Sequence, residues 1–385
     1  MSRLEELIQQ YCPDGVEFVQ IGQIAQVGTG SSNGNEADED GAFPFFVRSQ
    51  TVKRKNDYEY DEEAIIIPGE GGIGDIFHYI NGKYALHQRV YRIHFTIPSI
   101  NTKFAFYYLK SAFKQFILMK AVSATVVSIR KPMIEGFPIP LPPLPVQEEI
   151  VRILDSFAEL QAELQAELQN RLQQYNYYRD NLLSFEGRTD VEWKKLGEIC
   201  LKVCSGGTPS RGNSDYFTGD IPWLRTQEVD WNDIYDTEIK ITENAVKNSS
   251  AKLIPENCVI IAMYGATAGK VGINKIPLTT NQACCNLQIN PQKALYKYVY
   301  YWVCNEYEHL KSLGQGSQNN INAQIIKEYP IPVPPLSEQQ RIVDILDRFN
   351  TLTTDITAGL PAEIEARRKQ YEYYRDQLLT FKQKA

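Results

Sequence analysis

The sequence predicts an α+β protein made of two mixed α/β domains. Each domain is followed by a long helix, and the two long helices run antiparallel in a pseudo-two-fold internal repeat. Three observations predict it. A proline-rich stretch leads into an amphipathic one, F-P-I-P-L-P-P-L (137–144) then Q-E-E-I-V-R-I-L-D-S-F (147–157). Both return as Y-P-I-P-V-P-P-L (329–336) and Q-Q-R-I-V-D-I-L-D-R-F (339–349), at an offset of 192. The segments also close alike, Q-Y-N-Y-Y-R-D-N-L-L-S-F (174–185) and Q-Y-E-Y-Y-R-D-Q-L-L-T-F (370–381), at an offset of 196. Finally, V-E-F-V-Q-I-G-Q-I (16–24) matches V-E-W-K-K-L-G-E-I (191–199), so the domains between the helices are related too. The repeating unit is a domain plus a helix.

A chain of 385 residues suits two or three domains, each able to bury its own core. No apolar run approaches the ~18 residues of a membrane span. The opening M-S-R-L-E-E-L-I-Q-Q is charged and amphipathic, unlike a signal peptide. Seven cysteines, an odd number without metal-ligand spacing, fit reduced thiols in a cytoplasmic protein. The net charge of −7 is not that of a free-standing nucleic-acid binder. Either nucleic acid is not the ligand, or the basic groups are local and partners supply the rest.

Taken in order, residues 2–11 read as a short helix with Leu4, Leu7 and Ile8 on one face. In the first domain a polar loop (28–41) precedes F-P-F-F-V-R-S-Q (43–50), whose counterpart is I-P-W-L-R-T-Q (221–227). The apolar runs 64–67 and 259–262 have strand length, and each is followed by a glycine-rich turn. Asn81-Gly82 between Ile80 and Tyr84 reads as a hairpin turn. Helical periodicity returns at 102–119 and 295–310.

Pro138, Pro140, Pro142, Pro143 and Pro145 keep the first gate extended, so a helix starts at or just after it. Ile150, Leu154, Phe157, Leu160, Leu164, Leu168, Leu172, Tyr175, Tyr178, Leu182 and Phe185 then form one apolar stripe. A helix over 147–185 is ~58 Å long at 1.5 Å per residue. The second stripe runs through Ile342, Leu346, Phe349, Leu352, Ile356, Ile364, Tyr371, Tyr374, Leu378 and Phe381, with Gly359-Leu360-Pro361 expected to kink or break it. Each helix is the natural partner of the other, and a two-fold relation between the units makes them antiparallel.

The duplicated P-[IL]-P-x-P-P-L-x-x-Q-x-x-I-V-x-I-L-D-x-F and Q-Y-x-Y-Y-R-D-x-L-L-x-F resemble the specificity subunit of Type I restriction–modification systems, over the full length. The resemblance implies target recognition domains at 1–142 and 187–334, and helical spacers at 143–186 and 335–385. It implies double-stranded DNA as ligand, each domain reading half of a split site. It further implies two methyltransferase (modification) subunits docked on the spacers, and motor-nuclease (restriction) subunits joining that core. S-adenosylmethionine, ATP and Mg are expected on those partners, with no cofactor on this chain. The copies depart slightly, the gates ending L-P-V-Q (144–147) and L-S-E-Q (336–339).

The remaining motifs carry no catalysis. Gly69-Glu70-Gly71-Gly72-Ile73-Gly74 fits G-x-G-x-x-G, but neither a helix nor the required acid follows. G-A-T-A-G-K (265–270) is one residue short of a phosphate-binding loop. One shared strand-to-strand turn explains both. No methyltransferase Pro-Pro-aromatic motif is present, and His78, His87, His94 and His309 lack zinc or triad spacing.

The DNA-reading candidates are polar and basic residues just past strand-like runs. In the first domain they are Arg48, Ser49, Gln50, Lys53, Arg54 and Lys55, then Gln88, Arg89, Arg130 and Lys131. In the second they are Thr208, Ser210 and Arg211 within S-G-G-T-P-S-R (205–211), Arg225, Thr226 and Gln227, then Lys270, Asn281, Gln282, Gln318, Asn319 and Asn320. Arg48 with Gln50 and Arg225 with Gln227 stand out because both copies place them alike. Tyr177, Tyr178, Arg179, Tyr373, Tyr374 and Arg375 suit helix pairing and partner docking. Composition alone leaves a second reading open, a structural adaptor in which a coiled coil presents two protein-binding domains.

Overall fold

The computed structural model describes residues 3–120, 128–314, 320–354 and 358–384. Gln318, Asn319 and the stripe residue Ile356 lie outside them. The chain divides into two compact units, one reaching to Gln165 and resuming at Glu363, the other Ala166–Ala362. These cut across the boundaries at 142, 186 and 334. Each unit joins one domain to the start of its own spacer and the end of the other.

In the first unit six strands lie in the order Ala25–Thr29, Val90–Phe95, Tyr60–Pro68, His78–Leu86, Phe43–Phe46, Lys53–Lys55. All neighbours are antiparallel except Phe43–Phe46 beside His78–Leu86. The run at 64–67 is central and buried on both faces, which is why it reads as continuously apolar. By strand alternation Ile65 and Ile67 join the core of Phe104, Leu109, Phe113 and Ile117, from the helix Thr102–Lys120. Ala64 and Ile66 pack instead with Phe46, Tyr84 and Leu86.

Asn81-Gly82 is not a hairpin turn. It lies inside the nine-residue strand His78–Leu86, with Glu63 opposite Asn81 and Glu62 opposite Gly82. The long register against Tyr60–Pro68 overrides the local turn preference, and Gly82 meets it at φ +120°. The actual turn between those two strands is the glycine-rich 69–77.

The second unit repeats this order in two sheets. One runs Cys200–Ser205, Cys284–Ile289, Val259–Ala262, Val271–Asn274, Asp233–Ile234. The other runs Lys240–Ile241, Ile221–Leu224, Thr279–Thr280. The counterpart of His78–Leu86 is thus split into Val271–Asn274 and Thr279–Thr280, with Pro277 in the interruption, where it cannot donate to a ladder.

Both proline gates are strands of two-stranded sheets, Pro138–Pro140 on Phe18–Gln20 and Pro330–Val333 on Glu192–Lys195. Such pairing tolerates residues without an N–H. The first spacer is one helix, Leu144–Leu182, of 39 residues. The second is Leu336–Thr354 followed by Leu360–Leu378. Pro361 sits in the first turn of the latter, where its missing N–H costs nothing.

The joint between domain and spacer is built alike in both units. Gln147 is fully buried: its Oε1 accepts the Asn101 N–H at 2.8 Å, and its Nε2 donates to the carbonyls of Ser99 (2.9 Å) and Pro142 (2.6 Å). Gln339, equally buried, accepts from Leu295 N at 2.9 Å and donates to Lys293 and Pro334. Two turns further on, Asp155 accepts from Lys103 Nζ and the Tyr107 hydroxyl, both at 2.7 Å. Asp347 accepts from Lys297 (2.5 Å) and Tyr301 (2.6 Å). The Q-x-x-I-V-x-I-L-D-x-F motif is therefore the grip of each spacer on the helix of its domain.

Within the first unit Phe157 stacks on Tyr374 and meets Tyr371, while Phe381 meets Phe104, near the Gln147 end. The paired helices therefore run antiparallel. In the second unit Phe349 stacks on Tyr178 and lies against Tyr175, the same contacts in the other copy.

Candidate nucleic-acid interface

One end of each unit gathers loops from four elements. In the first unit these are the segment after Ala25–Thr29, the loop after Phe43–Phe46, the turn 69–77 and the three-residue connection His87-Gln88-Arg89. Backbone bonds lock them together: His87 N donates to Phe46 O (3.0 Å), Gln88 N to Ser32 O (3.0 Å), Gly69 N to Arg89 O (3.0 Å), and Ile129 N to Gly69 O (2.8 Å). The second unit repeats three of these bonds, Asn281 N to Leu224 O (2.9 Å), Met263 N to Ala283 O (2.8 Å) and Ile321 N to Met263 O (2.9 Å), while Gly207 N donates to the strand end at Thr280 O (2.8 Å). Gln88 therefore corresponds to Gln282, Arg89 to Ala283, Glu70 to Tyr264, and Ser128 to Asn320.

Glycines make the close approaches possible. A Cβ on Gly30 lies 1.7 Å from the Leu86 carbonyl oxygen, and one on Gly206 lies 2.0 Å from that of Thr280. Gly71 and Gly265 hold the same place in the glycine-rich turns, at φ +77° and +81°. Each turn is followed by a strand, His78–Leu86 or Val271–Asn274. The two near-motifs are thus one structural turn made twice. His78 and His94 are strand residues, as expected.

The first unit brings Arg48, Gln88 and Arg89 together. Glu70 bridges the two arginines, accepting from Arg48 Nη1 at 3.1 Å and from Arg89 Nη1 at 2.8 Å. Arg89, then Arg48, hold its carboxyl below the usual range. Burial, then the charges of Arg48 and Arg89, lowers the pKa of His87, so its neutral ring accepts the Arg89 N–H on Nδ1 at 3.0 Å. Gln88 donates through Nε2 to Asn33 Oδ1 at 2.8 Å. Gln50 is exposed, and Ser49 Oγ caps the carbonyl of Thr51 at 2.9 Å.

The basic strand Lys53–Lys55 divides. Arg54 donates to the carbonyls of Gly41 (2.5 Å) and Ala42 (2.9 Å). Lys55, with only 12% of its side chain exposed, is held by Glu36, Asp57 and Ser32. Those two fasten an edge strand, and Lys53 is left exposed. Arg130 is exposed at the start of the short helix Lys131–Glu135, within which Lys131 pairs with Glu135 at 3.5 Å.

In the second unit Arg225 is only 22% exposed and pairs with Glu228 (3.2 Å) and Glu238. The Gln227 amide oxygen, oriented to suit the donors it faces, accepts from the same guanidinium. Thr226 accepts through its carbonyl from Thr267 Oγ1 (2.9 Å), tying this loop to the glycine-rich turn. Lys270 pairs with Asp230 at 2.5 Å. The Thr208 hydroxyl donates to Gln282 Oε1, and Asn281 Oδ1 accepts the Ala283 N–H at 3.1 Å. Ser210 and Arg211 are exposed, and Asn320 lies beside Ile321 at the base of the turn.

One expectation needs correction. Arg48 and Arg225 are not placed alike: Phe46 and Leu224 occupy the same strand position, opposite Leu86 and Thr280. Arg225 follows at once, whereas Val47 intervenes before Arg48. The extra residue turns Arg48 outward (49% exposed) and leaves Arg225 folded against its acids. Sequence reading also missed Asn33, Glu70 and His87. Glu70 stood inside a motif weighed only as a nucleotide site, and matching Leu-His-Gln with Thr-Asn-Gln across the copies, at an offset of 194, could have found His87.

Tyr177 and Tyr373 are exposed on the spacers, while Tyr178 and Tyr374 stack on Phe349 and Phe157. Arg179 and Arg375 lie over Tyr175 and Tyr371. Among the described residues no group of three or more His, Cys, Asp or Glu is placed to hold a metal, and no helix is long and apolar enough to cross a membrane.

Fold and loops together are those of a DNA specificity protein. The model of the Type I restriction modification DNA specificity domain matches twice, over residues 13–174 and 189–366. The chain belongs to that family, whose members supply sequence recognition rather than catalysis to Type I systems. It is 31% identical over 361 residues to a putative Type I restriction enzyme specificity subunit of Haemophilus influenzae, covering 89% of each chain. It is 44% identical over 257 residues to the Type I restriction enzyme EcoR124I/EcoR124II specificity subunit of Escherichia coli, a match spanning 63% of each, less than two thirds of that relative. The S subunit of the M. genitalium Type I restriction-modification system shares the fold, with a TM-score of 0.60 at 16% identity, covering 94% of this chain and 95% of the other.

Proposed function

We propose that each unit reads one half of a bipartite site in double-stranded DNA through its gathered loops. The spacers dock two modification (methyltransferase) subunits, Tyr177 and Tyr373 supplying exposed aromatic contacts beside Tyr178, Arg179, Tyr374 and Arg375. S-adenosylmethionine then belongs to those subunits, and ATP and Mg to restriction subunits that join them, all in the cytoplasm. The observation that carries this reading is the same loop end built twice, each copy offering exposed amides and arginines suited to base edges and phosphates. The acidic balance of −7 leaves most of the phosphate attraction to the partners.

The test is methylation mapping of the assembled complex. Replacing Arg48 and Gln50 with alanine is expected to relax one half-site and leave every base of the other required. Replacing Arg225 and Gln227 is expected to do the reverse, less completely, because Arg225 is engaged with Glu228 and Glu238. Equal changes in both halves from either double variant overturn the assignment of one unit to one half-site.

A further inference from the structure

We propose that Gln88 and Gln282 read an adenine at the same position of the two half-sites, with Asn33 and Thr208 as the positioning residues that hold each carboxamide. The proposal rests on the bipartite reading above and concerns which base the shared loop end recognises.

Each glutamine is the middle residue of a three-residue connection leaving a strand that lies parallel to Phe43–Phe46 or Ile221–Leu224. The residue before it donates its N–H to that neighbouring strand, and its side chain accepts the N–H of the residue after it. His87 Nδ1 performs this at 3.0 Å and Asn281 Oδ1 at 3.1 Å. The residue after it accepts, through its carbonyl, the N–H that opens the glycine-rich turn. Three fixed points thus hold an exposed glutamine at each tip, and the two tips share all three.

The neighbours are not identical. Around Gln88 stand Arg89 and Glu70; around Gln282 the same places hold Ala283 and Tyr264. A shared glutamine amid differing neighbours is what two half-sites need when they have one base in common and differ around it. A carboxamide offers one acceptor and two donors on a rigid plane, matching the N6 donor and N7 acceptor of adenine in the major groove. Guanine there offers two acceptors and is the natural partner of arginine. In each unit the amide is already held by the loop pressed onto the strand end at Gly30 or Gly206. Asn33 Oδ1 takes one Nε2 proton of Gln88, and the Thr208 hydroxyl uses one lone pair of Gln282 Oε1. The remaining donor and acceptor of each amide are the ones adenine requires, so little side-chain freedom is left to lose on binding.

The experiment is long-read methylation mapping of the full chain expressed with its modification subunits, as wild type and as Gln88→Ala, Gln282→Ala and Gln88→Glu. The wild-type site is expected to be split, with adenine at matching positions of the two halves. Gln88→Ala is expected to lower discrimination at one of these positions by about 5- to 150-fold, and Gln282→Ala to do so only at the other. Gln88→Glu, similar in shape but offering only acceptors, is expected to shift the preference there toward cytosine, a change that lost folding cannot mimic. A split wild-type site whose bases all remain required in both alanine variants overturns the glutamine proposal alone. So does guanine at the affected position. An unsplit wild-type site overturns the bipartite reading beneath it.

Discussion

The joint between domain and spacer and the loop end proposed to read DNA were both duplicated with the chain, and they have fared differently. At the joint the two copies agree group by group: Gln147 with Gln339, Asp155 with Asp347, Lys103 with Lys297, Tyr107 with Tyr301. At the loop end three backbone bonds agree, but the places of Glu70 and Arg89 in the Arg48–Glu70–Arg89 bridge of the first unit are taken by Tyr264 and Ala283 in the second. A buried amide with three partners cannot be changed in one place alone, because each partner left behind stays unsatisfied. An exposed side chain on a locked turn can be changed freely. The joint therefore carries geometry, and the loop end carries choice.

The largest expected effect is at the joint. Gln147→Ala leaves one backbone N–H and two carbonyls without their partner and is expected to destabilise the first unit by about 3 kcal/mol. Gln339→Ala is expected to cost the second unit the same. Asp155→Asn, which removes a charge from a partly exposed pair, is expected to cost about 1 kcal/mol or less. Urea unfolding of the full chain measures all three, and a loss under about 1 kcal/mol in either glutamine variant refutes the grip.

Next comes the helix that leaves the joint. Residues 158–169 are A-E-L-Q three times over, within the unbroken Leu144–Leu182. Deleting one repeat shortens a helix by ~6 Å and removes a net ~40° of rotation, so the leucine stripe survives with a modest phase drift. One base pair of B-DNA turns ~35° and rises ~3.4 Å. Rotation is the stricter demand, since a misrotated domain meets backbone instead of base edges. The deletion is expected to shorten the unread gap by one base pair, two being the fallback because ~6 Å falls between one and two rises, with both half-sites unchanged. Methylation mapping decides, and an unchanged gap with retained activity removes the spacer as a ruler.

The smallest expected effect separates the loop ends. Glu70→Gln frees two arginines in the first unit alone, so the salt dependence of DNA binding by the assembled complex is expected to steepen by about one charge. Tyr264→Phe, at the matching place, is expected to leave the slope unchanged. The Glu70 carboxyl is held below its ordinary range, so the bridge persists at neutral pH and is lost as pH falls through that lowered value. Wild type and variant should converge only in acid. A difference that survives there assigns the effect to something other than the Glu70 charge.

Much of this protein can be read from its sequence, because a duplication is a pattern a chain displays without folding. The proline gates, the apolar stripes, the helix break ahead of Pro361 and the shared glycine turn are all local, set by missing N–H groups, 3.6-residue periodicity and left-handed backbone. Gln147 and Asp155 were visible as repeated letters, but what they grip lies 46–52 residues away, on a helix that only packing brings near.

Tertiary structure decided the rest. Asn81-Gly82 has the chemistry of a turn, yet a seven-pair register against Tyr60–Pro68 pulls it straight, since pairing along most of the strand outweighs one dipeptide. Arg48 and Arg225 look equivalent in the sequence and are not, because strand pairing counts residues and one extra valine changes the direction a side chain faces. Which arginine is neutralised, which lysine is buried and which amide stands at the tip depend on groups meeting across loops distant in sequence. Those meetings exist only in the folded chain.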